Sequence, residues 1–477
     1  MAFLNSKMLI AVSAIVLVCA LIYNKRLYDL RQERMDRVLH GLLRAEKKVG
    51  VDRNTRIALG FGGCEDIFVD AQEVLSKMNL SAVSDPEHVT DIMSDLDFVK
   101  IFSYFFNAGA AAERYVENNT FFSEVAAAAR DSTSARFELG GNAPAMARRL
   151  AMEGAEILLG ARFTEETLKS LPESIKVLGK PLDVNELHII LEYSAGSIWG
   201  NYSASRANRF IIHSDKSNPF LDTLEDLERE LPSFDPSVLV VGGLQMMDNF
   251  PFKEGVREER LRKLKDLLIA TDRSTKTHFE LASFSDENLM QEIVDSVVYY
   301  SDSLGMNEQE LPNLVSILTN GKISLISDSK PRIATVLDQM RTVFNLLKDT
   351  EETDGKRKLT RLHVHTLAYQ AILTTKGSEW KNTMAAAAKA SLTANRHVCG
   401  SNFIDTEKAK ILMDDSFSTS SVDAAADRIP LEEQRPVSCW SEDEFNICIA
   451  PVLVCTEVFQ TGGGGDNISS AGLLYQI

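Results

Sequence analysis

Residues 461–469 read Thr-Gly-Gly-Gly-Gly-Asp-Asn-Ile-Ser, and the apolar run Cys-Ile-Ala-Pro-Val-Leu-Val-Cys at 448–455 precedes them. That run predicts a buried strand leading towards a glycine-rich loop. Consecutive glycines let the backbone adopt positive φ and expose amide N–H groups without a Cβ in the way. A helix that begins at Asp466 would add its dipole, and the loop would bind a phosphate. The Asp466 carboxylate could then take a proton from an attacking hydroxyl. A flexible linker near a frayed terminus is the alternative.

Outward from this loop, the chain shows an α/β rhythm. Apolar or alternating runs predict strands, and amphipathic runs between them predict helices. The predicted strands are 56–63, 187–193, 209–215, 238–244, 277–282 and 362–367, and the predicted helices include 144–152, 257–271, 287–299 and 385–394. The run at 238–244 is apolar throughout, which is typical of a parallel strand buried on both faces.

Composition places the chain among folded globular proteins. Its 477 residues are 44% hydrophobic and 25% charged, enough for one large core or two moderate ones. The net charge of −17 argues against a nucleic acid or an anionic membrane surface as the main partner. The six cysteines include no C-x-x-C pair, so no structural zinc site is predicted. An oxidising compartment would allow disulfides among the four C-terminal cysteines.

The N-terminus has a different character. Residues 8–23 form an apolar run followed by Lys25 and Arg26. We interpret the run as an uncleaved membrane anchor, with a cleaved signal peptide and a core helix as alternatives. The positive-inside rule would keep the following domain in the cytosol, against a lumenal location. Residues 25–48 predict an amphipathic stalk helix that acts as a solvated spacer.

Several polar residues lie next to predicted strands, where α/β sheets place ligand contacts. Asp66 follows the first strand. Gly141 and Asn142 lie at a strand-to-helix junction, which offers close backbone approach and an amide for a hydroxyl. Glu113 lies in an Ala-rich segment predicted to be helical and could accept a sugar hydroxyl, and Arg206 or Arg209 could clamp a phosphate. A turn-capping Asp, a solvated Glu and a surface Arg are the alternatives.

Two glutamates predict a metal site. Glu280 is unexpected within an apolar strand, and Glu310 follows Asn307 by three residues. Near a phosphate, the two carboxylates could hold Mg²⁺ mostly through water. An N-cap at Asn307 with Glu310 as its capping-box partner is the alternative without a metal. His363 and His365 share a strand face, and without a third ligand one of them is interpreted as a polar contact to a base or a phosphate.

Taken together, these stretches resemble the ADP-dependent sugar kinases of the ribokinase-like superfamily, and among them the ADP-dependent glucokinases of animals. The resemblance covers roughly residues 58–474 and rests on motifs in a fixed order. These are GAAAER from Gly109, GGNA from Gly140, HIILEYSAG from His188, ANRFI from Ala207, HFELAS from His278, LGMNEQEL from Leu304, RLHVHTL from Arg361, PVLVC from Pro451 and TGGGGDNIS from Thr461. A G-x-G-D motif alone is weak evidence, but the ordered series is strong.

The resemblance implies an α/β fold: a ribokinase-like three-layer α/β/α large domain closed by a smaller, strand-rich lid domain. Residues 51–477 would form the kinase domain, with lid segments within 62–145 and 186–215. Residues 1–26 would be the signal or membrane anchor, and residues 27–50 the charged stalk.

The resemblance also implies a role for each candidate residue. Asp466 would be the catalytic base and would organise Mg²⁺ together with Glu280 and Glu310. The other matched positions are Gly463, Gly464, Gly465 and Arg209 for the phosphate, Asp66, Glu113, Gly141 and Asn142 for the sugar, and His365 and Val454 for the nucleotide. Cys399 and Cys455 match positions able to form a disulfide near the nucleotide.

The implied reaction transfers the β-phosphoryl group of ADP to the 6-hydroxyl of glucose and gives glucose 6-phosphate and AMP. The implied protein is a monomer of the endoplasmic reticulum, either membrane-anchored or lumenal and secreted. A kinase of another sugar, such as fructose 6-phosphate, and a membrane-tethered binding protein that has lost catalysis remain the alternatives.

The chain departs from the family pattern in two places. Gly62 stands where the family usually has Asn, which removes one sugar hydrogen bond, a loss of about 0.5–1.5 kcal/mol if uncompensated. Gly462 and Gly464 occupy variable places of the phosphate loop and add flexibility that binding must freeze.

Overall fold

The computed structural model describes residues 2–52, 54–323, 328, 330–350 and 353–477. Its helices are α1 (Ala2–Glu46), α2 (Ala71–Lys77), α3 (Asp95–Ala108), α4 (Asn119–Arg130), α5 (Asn142–Met152), α6 (Glu165–Ser170), α7 (Leu224–Phe234), α8 (Val256–Ala270), α9 (Glu287–Ser296), α10 (Glu310–Asn320), α11 (Ile333–Leu347), α12 (Thr383–Val398) and α13 (Gly464–Leu474).

The strands form two main sheets and three short two-stranded ribbons. They are β1 (Arg56–Gly60), β2 (Cys64–Asp70), β3 (Ala112–Tyr115), β4 (Arg136–Gly140), β5 (Glu156–Gly160), β6 (Ile175–Leu178), β7 (Leu187–Tyr193), β8 (Ile198–Trp199), β9 (Tyr202–Ser203), β10 (Asn208–His213), β11 (Val238–Val241), β12 (Lys276–Glu280), β13 (Ser303–Asn307), β14 (Arg361–His365), β15 (Tyr369–Thr375), β16 (Ala409–Ile411), β17 (Ser416–Ser418), β18 (Arg428–Pro430), β19 (Ser438–Ser441), β20 (Phe445–Pro451) and β21 (Leu453–Cys455).

The larger sheet runs in the order β19-β20-β15-β14-β13-β12-β11-β1-β5-β6. The strands from β6 to β14 are parallel to their neighbours, and β15, β20 and β19 join them antiparallel. Successive side chains of a strand point to opposite faces. On β1, therefore, Ala58 packs into the core formed with α7 to α11, whereas Ile57 and Leu59 pack into the core formed with α5 and α13. The predicted three-layer α/β/α architecture is confirmed.

A second sheet lies beside the first and has the order β3-β10-β7-β2-β4. One of its faces is covered by α2, α3 and α4, and there Phe98 and Phe102 of α3 pack against Phe210 of β10 in a cluster of aromatic side chains. Aromatic rings dominate this small core because each buries a large apolar area. The opposite face of the sheet carries polar residues and faces the larger sheet.

The N-terminal helix α1 combines two environments. By length and composition it can cross a membrane, and its apolar segment is exposed, with Ile15 and Leu21 at 63% and 60%. The amphipathic helix predicted for the stalk is present. Its apolar face is not solvated, however, because Val38 and Leu42 are fully buried against α12. The expectation of a spacer thus fails for the last turns of α1, which belong to the core.

Two local predictions differ from the structure. Glu113 lies on strand β3, not in a helix, because Ala112–Tyr115 pairs with β10. The apolar run at 448–455 is divided between β20 and β21, which belong to different sheets. Two disulfides are present, Cys439–Cys448 and the Cys399–Cys455 bridge that the family resemblance implied.

Candidate active site

A cavity of about 950 Å³ lies between the two sheets. All the residues to which a role was assigned line this one cavity. They are Asp66, Glu113, Gly141, Asn142, Arg209, Glu280, Glu310, His365, Val454, Gly463, Gly464, Gly465 and Asp466. Residues separated by up to 400 positions in sequence therefore come together because the smaller sheet faces the carboxyl edge of the larger one.

The tetraglycine stretch forms the start of α13. Gly463 has φ of 67° and caps the helix, which begins at Gly464 and not at Asp466. Asp466 therefore lies in the first turn, where the helix dipole favours an anion. A Cβ at Gly462 would overlap the ring of Phe68, so glycine at 462 allows the smaller sheet to approach the loop. On the other side, the ring of His397 bonds the Gly462 carbonyl through Nε2 at 2.8 Å.

Asp466 is half-buried and is held by one amide. Asn142 Nδ2 donates to its Oδ1 at 2.8 Å. Burial and the nearby charge of Glu280 raise the pKa of Asp466 to about 7, although Asn142 opposes the shift. The side-chain carbonyl Oδ1 of Asn142 accepts from Gln245 Nε2, and this bond fixes the orientation of Asn142. Asp466 is thus an oriented carboxyl group poised to exchange a proton near neutral pH.

Glu280 ends strand β12 and is buried. Its carboxylate accepts from Ser469 and bonds His278 Nε2 at 3.1 Å and His365 Nε2 at 3.3 Å. Burial alone would raise the pKa of Glu280, but the hydrogen bonds from His278 and His365 outweigh it and hold the pKa well below its usual range. Glu280 is therefore a fixed negative charge in the cavity wall.

Glu310 opens α10 and bonds the residue predicted as its capping partner. Asn307 N donates to Glu310 Oε2 at 2.8 Å, and Glu310 N donates to Asn307 Oδ1 at 3.0 Å. The reciprocal bonds of a capping box are therefore present. Burial, reinforced by the charges of Glu280 and Glu308, raises the pKa of Glu310 to about 8. We call Glu280, Glu310, His365 and Asp466 the phosphate-side cluster.

The phosphate-side cluster suits a hard divalent cation. Its three carboxylates line one cavity, and across the described ranges none of them is ion-paired with Lys or Arg. Within the same ranges they do not form a group with all ligand oxygens inside 4.8 Å, so an ion would keep several of its waters. A close group does exist at Cys64, Asp66 and His188, but a protonated His188 has no lone pair for a metal.

Opposite this cluster, the smaller sheet presents Asp66, Glu113, His188 and Asp215, which we call the sugar-side cluster. Asp66 and His188 are register partners on β2 and β7. His188 Nε2 donates to Asp215 Oδ2 at 3.0 Å, and its Nδ1 lies 3.5 Å from Glu113 Oε1. Burial lowers the pKa of His188, but Asp215 outweighs it and raises the pKa to about 10. Burial raises the pKa of Asp66 to about 6.

Two further candidates line the same cavity. Arg209 on β10 lines it, and its charge lowers the pKa of Asp466. Val454 on β21 lines it together with His365 on β14. His363, in contrast, bonds Gln370 at 3.1 Å in the core, away from the cavity lining.

Sequence reasoning did not assign His188, Gln245 or His397 to the site. His188 is the first residue of the motif HIILEYSAG. Alternate residues of a strand share a face, so His188 lies on the same face as Glu192, and this position could have indicated a role in the site. Gln245 and His397 carry no local signal. They reach the site only through the packing of the segment after β11 and the end of α12.

Comparison with known proteins places this geometry in a family. The family profile described as "ADP-specific Phosphofructokinase/Glucokinase conserved region" matches residues 55–475. The chain belongs to this family. A curated relative, the ADP-dependent glucokinase of Bos taurus, is 32% identical over 427 residues, which are 88% of this chain and 84% of the relative.

Solved structures support the fold of this ADP-dependent sugar kinase family. An ADP-dependent kinase in complex with fructose-6-phosphate and ADPβS superposes with a TM-score of 0.65 at 17% identity, covering 93% of this chain and 97% of that one. The last common ancestor of ADP-dependent phosphofructokinases from Methanosarcinales gives a TM-score of 0.57 at 18% identity with the same coverage. The chain is thus a phosphotransferase of the ribokinase-like fold.

Proposed function

We propose that this protein is an ADP-dependent glucokinase. It transfers the β-phosphoryl group of ADP to the 6-hydroxyl of glucose and releases AMP. The observation that carries the proposal is the placement of Asp466. It lies in the first turn of the helix that follows the tetraglycine loop, and it faces the same cavity as Asp66 and Glu113.

Asp466 acts as the general base. Its carboxylate takes the proton of the sugar hydroxyl while the hydroxyl oxygen bonds to the β-phosphorus and the bridging oxygen leaves with AMP. A pKa of about 7 suits a base that works near neutral pH, because the carboxylate is then both populated and basic enough to accept a proton. The Asn142 amide keeps the carboxylate in one orientation during transfer.

The charge on the transferred group is met by three kinds of partner. The amides of Gly463, Gly464 and Gly465 lie at the positive end of α13, and Arg209 adds a guanidinium from the smaller sheet. Glu280 and Glu310, beside Asp466, would hold Mg²⁺ through water, and the bound ion would neutralise further charge on the phosphate oxygens. Positioning and charge neutralisation are the main needs of a loose phosphoryl-transfer transition state.

The sugar-side cluster favours an uncharged sugar. Asp66 and Glu113 accept hydrogen bonds from hydroxyl groups, and Gly141 and Asn142 contact the same sugar. Fructose 6-phosphate would need cations for its phosphate, but Arg206 is already engaged with Glu308 at 3.0 Å. Glucose, the substrate in the name of the bovine relative, therefore suits this pocket better.

The nucleotide lies towards His365 and Val454, which line the same cavity as the phosphate loop. The smaller sheet, with α2 to α4, serves as the lid domain that closes over both substrates and excludes water. The apolar part of α1 anchors the protein as a monomer to the membrane of the endoplasmic reticulum. That location rests on the family resemblance and on the length and composition of α1.

The decisive experiment is phosphoryl transfer by the full chain in detergent with Mg²⁺. Each of glucose and fructose 6-phosphate is tested with ADP and with ATP. We expect AMP and glucose 6-phosphate from ADP and glucose only. Equal use of ATP would refute ADP as the specific phosphoryl donor. A preference for fructose 6-phosphate would refute glucose as the acceptor.

Localisation is tested separately by fractionating cells that express the full chain and a version without residues 8–23. We expect the full chain in the membrane pellet with a marker of the endoplasmic reticulum. A soluble full chain would refute the anchor.

A further inference from the structure

The smaller sheet touches the approach to the phosphate loop through one carboxylate, Glu192. Both the backbone N–H and the hydroxyl of Thr461 donate to Glu192 Oε1, each at 2.7 Å. Thr461 directly precedes Gly462 and the start of α13. Glu192 itself does not line the cavity, so it acts on the loop from behind.

Glu192 is held in place by Arg136 on the neighbouring part of the sheet. Arg136 Nη2 donates to Glu192 Oε2 at 2.8 Å, and the side chains are 29% and 18% exposed. The guanidinium of Arg136 also lies over the ring of Phe459, 4.4 Å from its centroid. A cation over an aromatic face and a charge-assisted hydrogen bond are both favourable in a partly desolvated position. Arg136 and Glu192 together therefore contact the chain at 459 and at 461.

These contacts connect the two sheets. Glu192 lies on β7 with His188, and the two side chains share a face by the period of two. Phe68, two residues beyond Asp66 on β2, contacts Gly462 from that same face. Asp66 and His188 of the sugar-side cluster and the contacts of Phe68 and Glu192 to 461–462 are thus carried by the same two strands, β2 and β7, so a rigid movement of those strands moves both.

On the side of the larger sheet, His397 on α12 bonds the Gly462 carbonyl, and Gly464 and Gly465 belong to α13, which packs against α12. Moving the smaller sheet away would remove both bonds of Thr461 to Glu192 and the packing of Phe68, and would leave the His397 contact. Extra glycines make the stretch more flexible when it is unsupported. The order of the phosphate loop therefore depends on the position of the smaller sheet.

We propose that Glu192 is a positioning residue that couples sugar binding to the phosphate loop. A sugar bound to Asp66 on β2 and to Glu113 on β3 fixes the smaller sheet, which includes β7. Glu192 on β7 then holds Thr461, and the ordered loop binds the nucleoside diphosphate more tightly. By linkage, the diphosphate strengthens sugar binding by the same factor. The identity of the two ligands in this inference rests on the proposed function. The bond between Glu192 and Thr461 is independent of that function.

The test uses the full chain and the variant Glu192→Ala. Binding of the non-transferable analogue ADPβS with Mg²⁺ is measured by calorimetry with and without saturating glucose. We expect glucose to tighten binding about tenfold in the unaltered protein and less than twofold in the variant, with glucose binding alone unchanged. A full glucose effect in the variant would overturn the proposal.

A matched control is Glu186→Gln on the same side of the smaller sheet. Glu186 accepts from the amides of Lys216 and Ser217 and does not touch the phosphate loop. We expect the glucose effect to persist in this variant. If Glu186→Gln loses the glucose effect as fully as Glu192→Ala does, any disturbance of the smaller sheet is enough to abolish that effect. This result would overturn the specific role of Glu192.

Hydrogen exchange of the Thr461 amide separates this proposal from the proposed function. We expect protection in the unaltered protein, loss of protection in Glu192→Ala, and little change at amides within α12. If the Thr461 amide is protected but glucose is not phosphorylated, the proposed substrate is refuted and the contact between Glu192 and Thr461 stands. An amide that exchanges equally fast in both proteins would overturn the contact, whatever the activity.

Discussion

The sugar-side and phosphate-side clusters face each other across one cavity, and both combine carboxylates with a buried histidine. In the sugar-side cluster, Asp215 holds His188 as a cation with a pKa of about 10, and Asp66 has a pKa of about 6. In the phosphate-side cluster, Asp466 and Glu310 have pKa values of about 7 and 8. Between pH 7 and 9 those groups of the first cluster keep their charge, whereas the second gains negative charge. The fold therefore fixes the charge of these groups in the sugar-side cluster and leaves the charge of Asp466 and Glu310 to depend on pH and on what binds there.

The largest expected effect is that of Asp466→Asn. Loss of the general base should lower kcat by about 10²–10⁴-fold, with binding of ADP and glucose largely retained. The free energy of unfolding should increase in the variant. The fold raises the pKa of Asp466 and so disfavours its charged form, and the neutral Asn removes that cost. Steady-state kinetics and chemical denaturation without Mg²⁺ at pH 8 check both points. A variant that keeps full kcat would exclude Asp466 as the base.

The matching change in the sugar-side cluster is Asp215→Asn, and it should destabilise. It leaves His188 buried without its counter-ion, a loss of about 3–5 kcal/mol in the free energy of unfolding. The folded-state pKa of His188 is raised, so this stability is fully present below about pH 6.5 and is lost as the pH rises through about 10. Urea denaturation at pH 7 and at pH 10 measures the difference. Equal stability of the two proteins at pH 7 would contradict the ion pair.

A smaller effect is expected from Mg²⁺ on the metal-free protein. Because the folded-state pKa values of Asp466 and Glu310 are raised, these groups lower stability progressively as the pH rises from about 4 to about 8. Carboxylates must be deprotonated to hold a metal, so Mg²⁺ should raise Tm more at pH 8 than at pH 6.

Glu310→Gln is the control for that measurement. Its amide replaces a carboxyl that is largely neutral at pH 7 but can accept only one of the two hydrogen bonds that Asn307 donates, so stability without metal should fall by only about 0.5–1.5 kcal/mol. The Mg²⁺ effect on Tm should shrink in this variant. An unchanged Mg²⁺ effect would remove Glu310 from the metal site.

The smallest expected effect concerns two glycines, one beside each cluster. A Cβ at Gly464 would have its nearest neighbour, His397, at 3.9 Å, so Gly464→Ala fits and should stabilise by about 0.4–1 kcal/mol. A Cβ at Gly140 would overlap the Asp66 carboxylate, so Gly140→Ala should displace Asp66 and raise the KM for glucose. Thermal melts and glucose titrations check the pair. A destabilised Gly464→Ala variant would show that the loop needs its fourth glycine.

Much of the fold followed from local patterns. Apolar strands such as 238–241 and amphipathic helices such as α8 were predicted because their periodicity is set by burial on one or two faces. Glu113 was misplaced because an Ala-rich segment favours a helix, whereas pairing with β10 overrides that propensity. The buried end of α1 was missed because a charged amphipathic helix looks the same whether its apolar stripe faces solvent or α12.

By itself, the sequence determined the chemistry-bearing segments: a strand before a glycine-rich loop, an aspartate at the helix start, and carboxylates at strand ends. These signals are local, since chain flexibility and helix dipoles depend on neighbouring residues. Only the tertiary structure decided the electrostatics. The ion pair of His188 with Asp215, the bonds of Glu280 to two histidines and the hold of Glu192 on Thr461 join residues far apart in sequence or on different strands. Charges interact through space and respond to burial, and neither quantity can be read from the order of residues along a chain.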